Sequence, residues 1–273
     1  MFRYPTALTI AGSDSSGGAG IQADLKTFSA LGVFGASVIT AITAQNTQGV
    51  RGIQAVSPEI VKEQLCAVWE DLTIDAVKIG MLHNRTTVRL VAEALRRFSP
   101  SVVILDPVMI STSGSKLMED EAINALVDEL FPLATLLTPN ANEAAFLTGI
   151  AIRTETDMKR AARKLLDLGC QAVLMKGGHL PGNTMTDWLF TRETAQRFTA
   201  PACSTPNTHG TGCTLSSAIA ACMAQGDELQ EAVRKAKDYV TSAIREGADV
   251  RTGKGHGPLN HLFHPVPLIK IPL

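Results

Sequence analysis

The tract Asn207-Thr208-His209-Gly210-Thr211-Gly212-Cys213-Thr214 runs straight into apolar residues at helical spacing, Leu215, Ile219, Cys222 and Met223. The first amide N–H groups of a helix have no partner within it, and the helix dipole puts positive potential there. Gly210, Thr211 and Gly212 would therefore offer donors to an anion such as a phosphate in transfer. Cys213 falls in the first turn, where a thiol pKa is lowered and a thiolate could accept a proton. A small cysteine chosen for packing fits the same place.

Four other loops hold polar side chains after apolar runs. In Thr138-Pro139-Asn140-Ala141-Asn142-Glu143, Asn140 and Glu143 are three apart and share a helix face. An amide and a carboxylate there could hold a hydrated Mg²⁺. The same spacing makes a capping box, and spacing alone favours the cap. Asp106 ends the run SVVILD and is a second carboxylate for a metal shell. Lys176, in Lys176-Gly177-Gly178-His179, could neutralise phosphate charge or be an ordinary solvated lysine. The loop Ala11–Gly20, AGSDSSGGAG, is glycine-rich but is neither a Walker A loop nor a clean GxGxxG, and a tight strand-to-helix turn also explains it.

The elements that must position these loops alternate in type. Val/Ile/Leu runs at 6–12, 35–44, 75–81, 101–106, 134–138 and 171–178 read as strands buried on both faces. Helical patterns fill most gaps: Ile21, Leu25, Phe28 and Leu31, then 58–72, 85–98, 119–131, 140–149, 155–168, 211–225 and 228–247. Ser57 and Pro58 read as the N-cap and first position of one of them. Residues 185–201 read as an antiparallel hairpin. The expectation is an α/β fold with a mostly parallel sheet and helices on both faces, as a single domain over 1–273. Ligands in such sheets bind at the carboxyl ends of the strands.

Composition excludes several classes. The 25 Lys+Arg and 26 Asp+Glu leave a net charge of −1, without the basic surplus that nucleic acid or an anionic membrane requires. No long uncharged apolar run suggests a membrane span, and the N-terminus lacks a signal-peptide pattern. Five scattered cysteines, with no CxxC pair, fit reduced thiols in the cytoplasm. The six histidines form no zinc pattern, and no GxSxG elbow supports a serine nucleophile.

Taken together, the segments 7–32, 38–50, 78–82, 105–109, 138–144, 173–179, 187–191 and 207–216 resemble, in order, the ribokinase-like superfamily. Within it the sequence is most similar to the hydroxymethylpyrimidine/phosphomethylpyrimidine kinase family of thiamine biosynthesis. The resemblance implies a ribokinase-like α/β fold and two ATP-dependent phosphorylations, giving a pyrimidine monophosphate and then its diphosphate. It implies a homodimer and Mg²⁺. Asp24 and Gln45 match positions that hydrogen-bond the aminopyrimidine, and Ala19, Met81 and Val108 match positions that pack on its ring. Cys213 matches the catalytic base and Gly210, Thr211 and Gly212 the anion hole. Asn140 and Glu143 match a metal motif, Asp106 a carboxylate near the metal, and Lys176 a residue near the ATP phosphates. The alternatives are a pyridoxal or pyridoxine kinase, against which Gln45 speaks, and a catalytically silent binding protein. Segments 47–56 and 185–201 are candidates to close over the site. The stretch VPLIKIPL (266–273) matches no usable pattern.

Overall fold

The computed structural model describes residues 1–110, 114, 116–177 and 184–273. Gly178 and His179 lie outside them. In chain order the elements are β1 (Phe2–Arg3), β2 (Thr6–Asp14), α1 (Gly20–Ala30), β3 (Phe34–Asn46), β4 (Gly49–Ala55), α2 (Pro58–Asp71), β5 (Ala76–Ile79), α3 (Arg85–Phe98), β6 (Val103–Leu105), α4 (Asp120–Ala125), β7 (Leu136–Leu137), α5 (Ala141–Thr148), α6 (Glu155–Asp167), β8 (Ala172–Met175), β9 (Thr184–Phe190), β10 (Ala195–Pro201), α7 (Thr211–Ala224), α8 (Leu229–Arg245) and β11 (Ile271–Pro272). A sheet of nine strands runs in the order β10-β9-β8-β7-β6-β5-β2-β3-β4. Its core, β3-β2-β5-β6-β7-β8, is parallel. Antiparallel β4, β9 and β10 complete the two edges.

Alternate residues of each buried strand face opposite layers, the period of two that a pleated strand imposes. Leu8, Val77, Leu105, Leu137 and Val173 pack against α2, α3, α4 and α6. Ala7, Ala76, Ile104, Leu136 and Ala172 pack against α1, α7 and α8.

Local signals behave as the chemistry requires at most ends. Ser57 accepts from the Ile60 N–H at the start of α2, and Asn84 accepts from the Thr87 N–H at the start of α3. The expected helix 119–131 is broken: α4 stops at Ala125, a π-helical turn covers Leu126–Leu130, and a 3₁₀ turn follows over Phe131–Leu133. Pro132 supplies no N–H, so the α ladder cannot continue through it. The two segments that are candidates to close over the site lie largely in sheet strands. Residues 49–55 form β4, and 184–201 form the β9–β10 hairpin. The terminal stretch also has a partner, because β11 pairs with β1, and the Val266 and Ile269 N–H groups donate to Ala30 and Gly32.

One polar contact sits inside the apolar packing. Lys78 of β5 and Asp24 of α1 are both 0% exposed. Lys78 Nζ reaches the two Asp24 oxygens at 2.9 and 2.8 Å. Thr9 of β2 and Ser217 of α7 donate to the same carboxylate, each at 2.6 Å. The contact therefore ties four elements together. Removing one member leaves an uncompensated buried charge, at a cost of about 3–5 kcal/mol. Lys78→Met is expected to lose that much in denaturant unfolding, and Asp24→Leu/Lys78→Met to recover most of it. A Lys78→Met protein as stable as the parent would contradict this.

Candidate active site

The carboxyl ends of the parallel strands meet the start of α7. Asp106 follows β6, Thr138 follows β7 and Lys176 follows β8. Lys176 Nζ donates to Asp106 Oδ1 at 2.8 Å and lies 3.9 Å from Glu143 Oε2. Thr138 Oγ1 donates to the same Asp106 oxygen at 3.0 Å. A β-carbon built on Gly212 would stand 3.2 Å from Lys176 Nζ, which puts the ammonium at the N-terminal turn of α7. Gly210 has a φ of +85°, and a side chain on it would strike the Gly18 carbonyl. The two glycine loops, 12–20 and 207–212, therefore interlock backbone to backbone.

Asn140 and Glu143 form the capping box that their spacing allows. The Glu143 N–H donates to Asn140 Oδ1 at 2.9 Å, and the Asn140 N–H to Glu143 Oε2 at 2.7 Å. The same carboxylate faces Lys176, so one residue both caps α5 and lies beside the ammonium at the start of α7. Burial pushes the Glu143 carboxyl up to about 7, with Lys176 pulling it down and Asp106 adding to the rise. Burial alone would lower the Lys176 ammonium; attraction to Asp106 and Glu143 outweighs it and raises the pKa.

Cys213 departs from expectation. Its position in the first turn predicts a lowered pKa, yet burial raises the thiol to about 11. Lys78 pulls it down, while Asp24 and Asp106 push it up. The two lysines nearest the thiol each have an aspartate partner, so the helix terminus faces little net positive charge. At neutral pH the protein holds a thiol at this position.

The residues expected to contact the ring fall into separate places. Met81 packs with Ala41 and Leu117, and Val108 lies against this small apolar cluster. Gln45 is the next-to-last residue of β3, and its Nε2 lies 3.3 Å from His209 Nε2. Ala19, the N-cap of α1, donates its N–H to Asp14 at 2.9 Å. Asp24 stands apart from them. It was expected to reach the aminopyrimidine, but it is sealed from solvent and both its oxygens are occupied by Thr9, Lys78 and Ser217. It anchors the fold beneath the site.

Three residues here had no role assigned from sequence. A lysine inside an apolar run, as in DAVKIGM, must find a buried counter-charge, and Lys78 finds Asp24. Asp14 and His209, in the two glycine tracts, pair at 2.9 Å. The segment after α8 also supports the site. His261 Nε2 lies 2.9 Å from Thr214 Oγ1, and the His209 N–H donates to Gly257 O.

A family model described as phosphomethylpyrimidine kinase matches residues 14–260. This chain belongs to that family. It is 55% identical over 259 residues to the hydroxymethylpyrimidine/phosphomethylpyrimidine kinase of Rhizobium meliloti, covering 94% of this chain and 97% of the relative. A crystal structure of phosphomethylpyrimidine kinase from Clostridium difficile superposes with a TM-score of 0.79 at 48% identity, covering 88% of this chain and 99% of that one. Pyridoxal kinase from Staphylococcus aureus, in complex with AMP-PCP and pyridoxal, superposes with a TM-score of 0.87 at 32% identity, covering 95% and 94%. The fold is ribokinase-like and the chain is a kinase, a phosphotransferase.

The raised thiol pKa gives a direct check on this family member. Alkylation of Cys213 by iodoacetamide, followed by peptide mass spectrometry, should be slow near pH 8 and accelerate through pH 10–11, because the thiolate is the nucleophile and the folded pKa is about 11. Full reactivity at pH 7 would contradict the resting thiol.

Proposed function

We propose that this enzyme transfers the γ-phosphoryl group of ATP to 4-amino-5-hydroxymethyl-2-methylpyrimidine. It then phosphorylates the monophosphate to the diphosphate. The observation that carries this reading is the placement of Lys176 at the glycine-rich start of α7. Phosphoryl transfer asks mainly for positioning and charge neutralisation. The Gly210–Cys213 N–H groups and Lys176 would supply both around the transferred group. The identity to named hydroxymethylpyrimidine/phosphomethylpyrimidine kinases favours this substrate over pyridoxine.

Met81 and Val108 would pack on the ring, and Gln45 would bond its polar edge. Asp106 and Glu143, hard oxygen donors beside the phosphate site, fit a hydrated Mg²⁺. Such an ion would neutralise phosphate charge. Asn140 would orient Glu143 through the cap. Cys213 would take the proton from the substrate hydroxymethyl group. Its thiol must first give up its own proton, which Lys78 favours and burial, Asp24 and Asp106 oppose. Among the described residues no helix is long and apolar enough to cross a membrane, and a cytoplasmic location fits the reduced thiols. A homodimer is the proposed assembly.

Incubation with ATP, Mg²⁺ and the hydroxymethylpyrimidine should give monophosphate first and diphosphate second. Loss of a general base costs about 10²–10⁴ in rate, so Cys213→Ala should slow the first step by that factor. In the second step the nucleophile is a phosphate oxygen, already largely ionised near neutral pH. Started from purified monophosphate, that step should slow far less. Equal slowing of both steps would remove the base role. Absence of either product from the parent enzyme would overturn the function.

A further inference from the structure

Gln45 meets two polar groups whose hydrogens are already committed. His209 Nε2 lies 2.9 Å from Asp14 Oδ2 and 3.3 Å from Gln45 Nε2. Asp14 is ionised: burial works against its charge, but bonds from His209, Ser16 and Ala19 outweigh that and hold its pKa below the usual carboxylate value. A carboxylate only accepts, so the hydrogen between the pair must sit on His209 Nε2. An Nε2 that carries a hydrogen has no lone pair for the Gln45 NH₂ group. The other side of the amide shows the same conflict. Thr43 Oγ1 donates its single proton to Ser13 O at 2.9 Å, yet lies 3.2 Å from Gln45 Oε1. With that proton committed, two acceptors face each other.

An amide fills the same space in either sense, and its surroundings decide which is adopted. A half-turn of the Gln45 amide resolves both conflicts. Its oxygen then accepts from His209 Nε2–H, and its NH₂ donates to Thr43 Oγ1.

We propose that the Asp14–His209 pair and the Ser13–Thr43 pair hold the Gln45 amide in this sense, and that the resulting order of acceptor and donor selects the substrate ring. The selection rests on the reading of Gln45 as the residue that bonds the ring. The held amide keeps one oxygen lone pair and one N–H free. The lone pair accepts from an exocyclic amino group on the His209 side. The N–H donates to a ring nitrogen on the Thr43 side. A 4-aminopyrimidine carries those two groups on adjacent atoms. A pyridine alcohol such as pyridoxine has no amino group beside its ring nitrogen.

His209 is a positioning residue, and its own position is well determined. Its N–H donates to Gly257 O at 3.1 Å. A β-carbon on Gly18 would stand 2.4 Å from His209 Cδ2, so only glycine at that position leaves room for the imidazole.

Long-range ¹H–¹⁵N NMR of the histidines in the parent enzyme, at about pH 8.5 so that an ordinary imidazole is neutral, tests the first half without any variant. The His209 ring should be the Nε2–H tautomer. A bare Nε2 with the hydrogen on Nδ1 would overturn the proposal. Asp14→Asn tests the second half, because an asparagine NH₂ can donate to Nε2 and reverse the tautomer. The ratio of kcat/KM for hydroxymethylpyrimidine over pyridoxine should fall about 10–100-fold, mainly through KM, the scale of a mispaired buried polar group. His209→Leu should lower the ratio in the same direction and serves if Asp14→Asn does not fold. Equal losses on both substrates would mean a merely structural role and would overturn the selectivity. A parent enzyme that ignores hydroxymethylpyrimidine would overturn the substrate reading and this selectivity together. The tautomer result stands apart from both.

Discussion

The ion pair between Lys78 and Asp24 is the contact on which the rest of the site depends. It lies at the junction of β2, β5, α1 and α7, the elements that flank both glycine loops. Two charges without exposure to water need each other and a full set of hydrogen bonds. Thr9 and Ser217 complete that set, so α1 and α7 cannot shift on the sheet without leaving a buried carboxylate short of donors. Gly18, ahead of α1, and Gly210, ahead of α7, interlock between the same two helices.

Around it, each buried lysine faces carboxylate charge. Lys78 has Asp24, and Lys176 has Asp106 with Glu143 beyond it. The consequence is a start of α7 that is polar, preformed and nearly neutral, with Cys213 held as a thiol. Such a site is poised to respond to charge. Phosphates brought to the helix start, with carboxylates drawn toward a cation, would leave Lys176 free to face the transferred group. Preformed amide donors need no rearrangement at that moment.

Much of the architecture was legible in the residues. The Val/Ile/Leu runs located the parallel strands because both faces of those strands are buried. Ser57-Pro58 placed the start of α2 through its own hydrogen bond. The short edge strand β4 was less visible, since Gly49 and Gly52 interrupt its pattern. For the site, the glycine tracts, Asp106, Glu143 and Lys176 come together as strand-end loops should. Three features escaped a linear reading because they depend on partners distant in sequence. Asp24 matched a pyrimidine-bonding position, but its partner Lys78 lies 54 residues away. The Cys213 thiol looked activated by its helix, but burial and two aspartates reverse the shift. Asp14 and His209 are separated by 195 positions, and only the fold makes them a pair.

The central claim is that the start of α7, flanked by Lys176, cradles the transferred phosphoryl group. A crystal structure with ADP, Mg²⁺, the hydroxymethylpyrimidine and aluminium fluoride as a phosphoryl mimic would test it most directly. The mimic should accept hydrogen bonds from the N–H groups of Gly210–Cys213, with Lys176 Nζ within contact of it and Gln45 on the pyrimidine edge. A mimic seated instead in the glycine loop before α1, with the α7 amides unengaged, would contradict it.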